Sequence, residues 1–191
     1  ALEEARYWLS LPWGDVPSLP TDFAGTESPA YAWQTVSERL DAATAGTLWA
    51  IGTRRRLRPY DVILGALVQT IAEWGGGKAA AIHLSQHGRD PRLAGVNLSR
   101  TFGCLVSDFP GVFRVDSTAG PAALDAVVDQ LDRIPGKGVG YGVLRYLAAA
   151  DVAGAFQALP FPEVELHFLA RMPAPIQRSP RNGPGEGDAG L

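Results

Sequence analysis

The sequence predicts an α/β or α+β domain. Apolar residues recur at helical spacing over residues 60–74 and again over 124–134, and short apolar runs bounded by glycines or turn residues lie at 79–84 and 112–115. A chain of 191 residues that is 46% hydrophobic can bury one core of ordinary size, so a single domain is expected.

The elements follow in order. Residues 1–30 hold an N-terminal segment and, over 11–30, an extended connector in which Pro12, Pro17, Pro20 and Pro29 leave little periodicity. Residues 31–40 read as a strand, and Asp41 caps a helix through Ala50 that presents Ala45, Leu48 and Ile51. Pro59 takes the first position of the clearest helix, in which Tyr60, Ile63, Leu64, Leu67, Ile71 and Trp74 recur until three glycines at 75–77 end it. Residues 79–84 make a buried strand; 104–106 and 112–115 make two more around a turn at 108–111. After Pro121, the spacing of Leu124, Val127, Val128, Leu131 and Ile134 marks an amphipathic helix, followed by a short one at 141–149 and a last strand at 163–169. Residues 173–191 are rich in Pro and Gly without apolar periodicity and read as a flexible tail.

Composition excludes several functions. A net charge of −3 offers no basic face for nucleic acid or an anionic membrane. The cluster of Arg54, Arg55, Arg56 and Arg58 precedes the strongest helix and reads as a solvated helix start, with an anion contact as the alternative. No apolar stretch is long enough to span a bilayer, and the start of the chain, ALEEARYWLS, lacks the layout of a signal peptide. With Cys104 the only cysteine, no internal disulfide forms, and a reducing cytoplasm is the expected compartment. The histidines are His83, His87 and His167, and for His83 and His87 a third ligand at zinc-binding spacing is absent.

Four ordered blocks carry a more specific signal: DVILGAL from Asp61, SQHGRD from Ser85, SRTFGCLVSDFP from Ser99 and PGKGVGYG from Pro135. In order and spacing they resemble the C-terminal lobe of the epimerization and condensation domains of nonribosomal peptide synthetases, whose epimerization blocks read roughly DxxLLxA, EGHGRE, RTVGWFT and PxxGxGYG. The resemblance covers about residues 5–172 and implies a mixed sheet with helices packed on it, as in one lobe of the chloramphenicol acetyltransferase-like fold, here over residues 31–172. It also implies partners: a peptidyl or acyl carrier protein that presents a phosphopantetheine arm, adjacent synthetase domains, and either a second copy or a missing-lobe partner. No bound cofactor, nucleic acid or membrane is implied.

Departures from those blocks bear on chemistry. Ser85 occupies the family's catalytic glutamate position, and epimerization of an aminoacyl thioester needs two proton-carrying groups on opposite faces of Cα, a task beyond an alcohol with no adjacent base. Asp90 replaces the second acid of that block, and Cys104 stands where the family has tryptophan. A buried Cys104 would act as a small hydrophobe, and no His or Asp is placed by sequence to activate it. His87, Arg89, Asp90, Arg100, Cys104 and Tyr141 are the channel-facing or carrier-facing candidates implied by the resemblance, with no residue assigned as catalytic. PGKGVGYG lacks nucleotide-loop spacing and reads as a glycine-supported turn into a helix. Two functions are expected of such a chain. One is a truncated, catalytically inactive lobe that is a structural or docking element; the other is the C-terminal half of an active epimerase or condensing acyltransferase, completed by an N-terminal lobe with HHxxxD.

Overall fold

Strand β1 (Ala79–Gln86) is the middle of a three-stranded sheet of order β2-β1-β3. Strand β2 (Ser107–Arg114) is antiparallel to it, pairing Ala79 with Arg114 through to Gln86 with Ser107. Strand β3 (Val164–Leu166) is parallel on the other side, with His83 opposite Glu165. The computed structural model describes residues 2–22, 34–88, 97–115 and 120–169. Helices α1 (Leu2–Leu9), α2 (Ala42–Arg55), α3 (Pro59–Gly75), α4 (Pro121–Asp132), α5 (Val139–Tyr146) and α6 (Ala150–Gln157) complete the fold, with 3₁₀ turns at Trp13–Asp15 and Pro135–Gly138. The mixed sheet with packed helices is the fold class expected.

The core lies on one face of the sheet. Ala80, Ile82 and Leu84 of β1 and Phe109 and Phe113 of β2 meet Leu64 and Val68 of α3, Val127 and Leu131 of α4, Tyr141 of α5 and Phe156 of α6. Trp8 of α1 is completely buried among them, with its ring 4.9 Å from Tyr141 and 6.0 Å from Phe109. Burying each large side chain of this kind contributes about 1.5–3 kcal/mol.

Helix α3 begins where the sequence places it. Asp61, only 4% exposed, accepts from the backbone N–H of Arg58 at 2.8 Å and from its guanidinium at 2.6 Å, satisfying an orphan donor and the buried charge together. That explains the acid that opens the first block. Its side chain also raises the pKa of Arg58 through the hydrogen bond. Gly76, at φ +67°, closes the helix with a left-handed cap. Asp41 caps α2 by accepting from Thr44 N–H at 2.7 Å. Of the arginine cluster, Arg55 pairs with Asp125 and Arg58 with Asp61, while Arg54 donates to the Ala50 carbonyl of its own helix.

Several expectations are corrected. The N-terminal segment ahead of the connector, for which the sequence suggests no element, forms α1, which is part of the core through Trp8. Residues 34–40 of the expected strand are exposed, Val36 and Leu40 included, and pair with no strand among the described residues; residues 31–33 lie outside the described residues. No turn divides 108–111: β2 runs straight through, while 104–106 are not strand. Pro110 is tolerated because β2 is an edge strand with no second neighbour awaiting its N–H. Gly111 is there because a side chain would collide with the Phe113 ring. The short helix expected at 141–149 is α5, starting two residues earlier and ending at Tyr146, and α6 follows it unpredicted. Of the last strand only Val164–Leu166 forms. The tail at 173–191 lies outside the described residues.

In the fourth block, Gly138 has φ +84°, and any Cβ there would drive into the Phe109 ring, so both backbone conformation and packing demand glycine. Gly138→Ala is therefore expected to destabilise the fold by about 1–3 kcal/mol through strain and overpacking, and Trp8→Ala by about 3–5 kcal/mol through the cavity it leaves; urea denaturation midpoints measure both. Burial pushes the Tyr60 phenol up from 10.0 to about 12, against a smaller lowering by Arg58. In the unfolded chain that proton leaves near the ordinary value, so between these two pH values the folded state binds more protons and stability falls as pH rises. Tyr60→Phe should flatten the decline in denaturation midpoint between about pH 9 and 11.5. At neutral pH it should cost little, because the buried Tyr60 hydroxyl has no hydrogen-bond partner among the described residues.

Candidate functional site

Alternation along β1 turns His83 and Ser85 away from the face that carries Ile82 and Leu84 into the core. Across the antiparallel pair, Asp108 is the register partner of Ser85, and the Ser85 hydroxyl donates to Asp108 Oδ1 at 2.6 Å. On the parallel side, Glu165 is the partner of His83; its Oε1 lies 3.2 Å from His83 Nδ1 and 2.9 Å from His167 Nε2. The His83 side chain is 15% exposed, with its ring 4.9 Å from Phe161. A polar row of Asp108, Ser85, His83 and Glu165 thus crosses all three strands.

Asp108 and His83 face a groove of about 830 Å³. Its walls are Cys104, Leu105 and Val106 ahead of β2, one side of α5 with Tyr141 and Val143, and Phe161 and Pro162 ahead of β3. The rim is largely apolar: Val106, Val143, Tyr146, Leu147 and Phe161 are all exposed. Arg145 also lines the groove, with its Nη1 donating to the Phe156 carbonyl at 2.5 Å and lying 3.5 Å from the Tyr141 hydroxyl, which ties α5 to α6.

The residues named from sequence separate into four groups. Tyr141 and Cys104 reach the groove. Tyr141 is also a core residue, its ring 4.9 Å from Trp8 and 5.6 Å from Phe156, and burial raises its phenol pKa against a partial lowering by Arg145. Cys104 is exposed rather than buried, because the strand expected to enclose it begins only at Ser107. Ser85 sits at the edge of the groove through Asp108. His87 and Arg100 are exposed and off the groove wall, Arg100 in a turn closed by Thr101 N–H to the Leu98 carbonyl at 3.1 Å. Arg89 and Asp90 lie outside the described residues. The second and third blocks do meet: the backbone of Gly88, at φ +58°, packs so closely on the Leu105 carbonyl that any side chain would collide.

Asp108 is the residue that sequence reasoning misses. Turn composition hides it at 108–111 and leaves Ser85 as an alcohol with no adjacent base; register places a carboxylate directly against it. The available signal is period two, since 107–114 can be read as one strand once Pro110 and Gly111 are allowed at a sheet edge.

Comparison with known proteins agrees with this geometry. The condensation-domain family matches residues 1–166. A linear gramicidin synthase of Brevibacillus parabrevis is 34% identical over 172 residues, covering 89% of this chain and 2% of that protein. Surfactin synthase subunit 2 of Bacillus subtilis (strain 168) is 31% identical over 181 residues, covering 92% of this chain and 5% of that protein. The chain therefore spans only a small part of these relatives. Among solved structures, the epimerization domain from the third module of tyrocidine synthetase B superposes with a TM-score of 0.69 at 25% identity, over 86% of this chain and 38% of that one. The X-domain from teicoplanin biosynthesis shares the fold, with a TM-score of 0.61 at 19% identity over 84% of this chain and 34% of that one. With the sheet, the glycine-supported α5 and the family match all covering the same residues, this chain belongs to the condensation-domain family.

Proposed function

We propose that this lobe works within a nonribosomal peptide synthetase as a structural and docking element, and that alone it is catalytically inactive. In this reading its groove receives the thioester that a peptidyl or acyl carrier protein presents on a phosphopantetheine arm, and its apolar rim seats a neighbouring synthetase domain, a second lobe or a second copy of the chain. The observation that carries the proposal is the open groove with an exposed apolar rim at Val143, Tyr146, Leu147 and Phe161, a surface type that marks interaction sites. Inactivity of the lobe alone follows from one-sidedness. Epimerization requires opposed proton carriers, whereas the polar groups here lie on one sheet face and position 85 is an alcohol already donating to Asp108. An exposed Cys104 thiol is compatible with a reducing compartment such as the cytoplasm.

A second reading is favoured by one specific observation, the Asp108 carboxylate beside Ser85. Here the lobe is half of an active epimerase or condensing acyltransferase, with the opposing groups supplied by an N-terminal lobe carrying HHxxxD.

Two outcomes are expected. Tyr146→Asp combined with Leu147→Asp should make the isolated chain monomeric in sedimentation and weaken its binding to the parent synthetase's carrier domain by about tenfold, as for loss of two apolar contacts; an unmodified chain that is a monodisperse monomer at high concentration and binds no carrier or neighbouring domain would sink the docking proposal. The isolated lobe should also leave Cα–H of a loaded carrier unexchanged in deuterated water. Exchange by the parent protein would select the second reading.

A further inference from the structure

We propose that Asp108 is the proton-accepting group of this groove and that Ser85 is its positioning residue, acting on the Cα–H of a carrier-borne aminoacyl thioester. The inference rests on the second reading above. It assigns the carboxylate of the site to β2, one strand over from the position at which the sequence lacks an acid.

Four observations carry it. Asp108 lines the groove, is exposed to it, and is the only carboxylate among its described lining residues. Its Oδ1 takes the Ser85 hydroxyl at 2.6 Å, while Oδ2 has no hydrogen bond among the described residues and is available as an acceptor. Register fixes the pair, because Ser85 and Asp108 are direct cross-strand partners, one pair in from the end of a continuous ladder. The other acid of the polar row, Glu165, is engaged by His83 and His167 and does not line the groove.

The step balances within the groove. The Cα–H bond breaks, the proton passes to Asp108 Oδ2, and the electron pair delocalises into the thioester carbonyl as an enolate. Return of the proton from Asp108 regenerates the carboxylate with configuration retained. Inversion requires a donor on the opposite face, which this sheet face cannot provide. In a groove closed by a second lobe, Asp108 therefore accounts for Cα exchange, and inversion needs the donor that the second lobe supplies. The Ser85 hydroxyl, donating to Oδ1, holds the carboxylate in one rotamer and leaves Oδ2 directed to the thioester.

The test uses the parent synthetase with its native neighbours in deuterated water, offered L-aminoacyl pantetheine thioesters of alanine, valine, phenylalanine, aspartate and lysine, with deuterium uptake at Cα read by mass spectrometry. Wild type is expected to exchange at least one of them. Asp108→Asn should lower the rate about 10²-fold or more, the usual contribution of a positioned base, with KM unchanged. Ser85→Ala should lower kcat about tenfold, again at constant KM. The decisive variant combines Asp108→Asn with Ser85→Glu, returning the acid to β1, and should recover exchange to within about tenfold of wild type. Exchange by Asp108→Asn at the wild-type rate overturns the assignment of Asp108 and leaves the active-half reading standing. Failure of wild type to exchange any thioester, while it still binds its carrier, overturns the active-half reading and the assignment with it.

Discussion

The period-two alternation of β1 is the constraint on which both core and groove depend. Ile82 and Leu84 turn toward the helices and are fully buried, while His83 and Ser85 turn the other way. Among the described strands β1 alone has a neighbour on both sides, so its register fixes Asp108 through β2 and Glu165 through β3. A slip of one residue would put Leu84 into solvent and Ser85 into the core. The burial of Ile82 and Leu84 therefore supplies the free energy that holds the polar row in place.

A second constraint joins the core to the groove wall. Gly138 leads into α5 in a left-handed conformation directly against the Phe109 ring, and Tyr141, one turn on, lies between Trp8 and Phe156. Trp8 comes from the start of the chain, and Arg145 anchors the far end of α5 on the Phe156 carbonyl. The groove thus has one wall fixed by aromatic packing, with Val143 and Tyr146 exposed beside it. Stability and the shape of the site are coupled here, because the residues that hold α5 down also set where its exposed side lies.

Local features are legible in the sequence because their causes are local. The Asp41 cap, Pro59 at the first position of α3 and the glycine that ends it each act within one helical turn. The four blocks likewise convey family and fold. What stays hidden depends on partners distant in the chain. Residues 34–40 have strand-like composition and, among the described residues, no strand beside them. β2 contains Pro110 and Gly111, which look like a turn until the edge position and the Phe113 ring explain them. Asp108 is 23 residues from Ser85, and only the antiparallel register brings the two together. Tyr141, a channel candidate by resemblance, is shared between channel and core.

The same register sets a carboxylate beside the alcohol at position 85. Cross-strand partners have Cβ atoms about 5 Å apart, so a carboxylate on the facing residue of β2 lies roughly one strand spacing from one on β1. Ser85 is short enough to leave that space open and polar enough to orient the group that fills it. An alanine would leave space without orientation, and a second acid would set two like charges against each other. The pairing of an alcohol at 85 with a carboxylate at 108 is thus a chemically consistent unit, in which each residue accounts for the identity of the other.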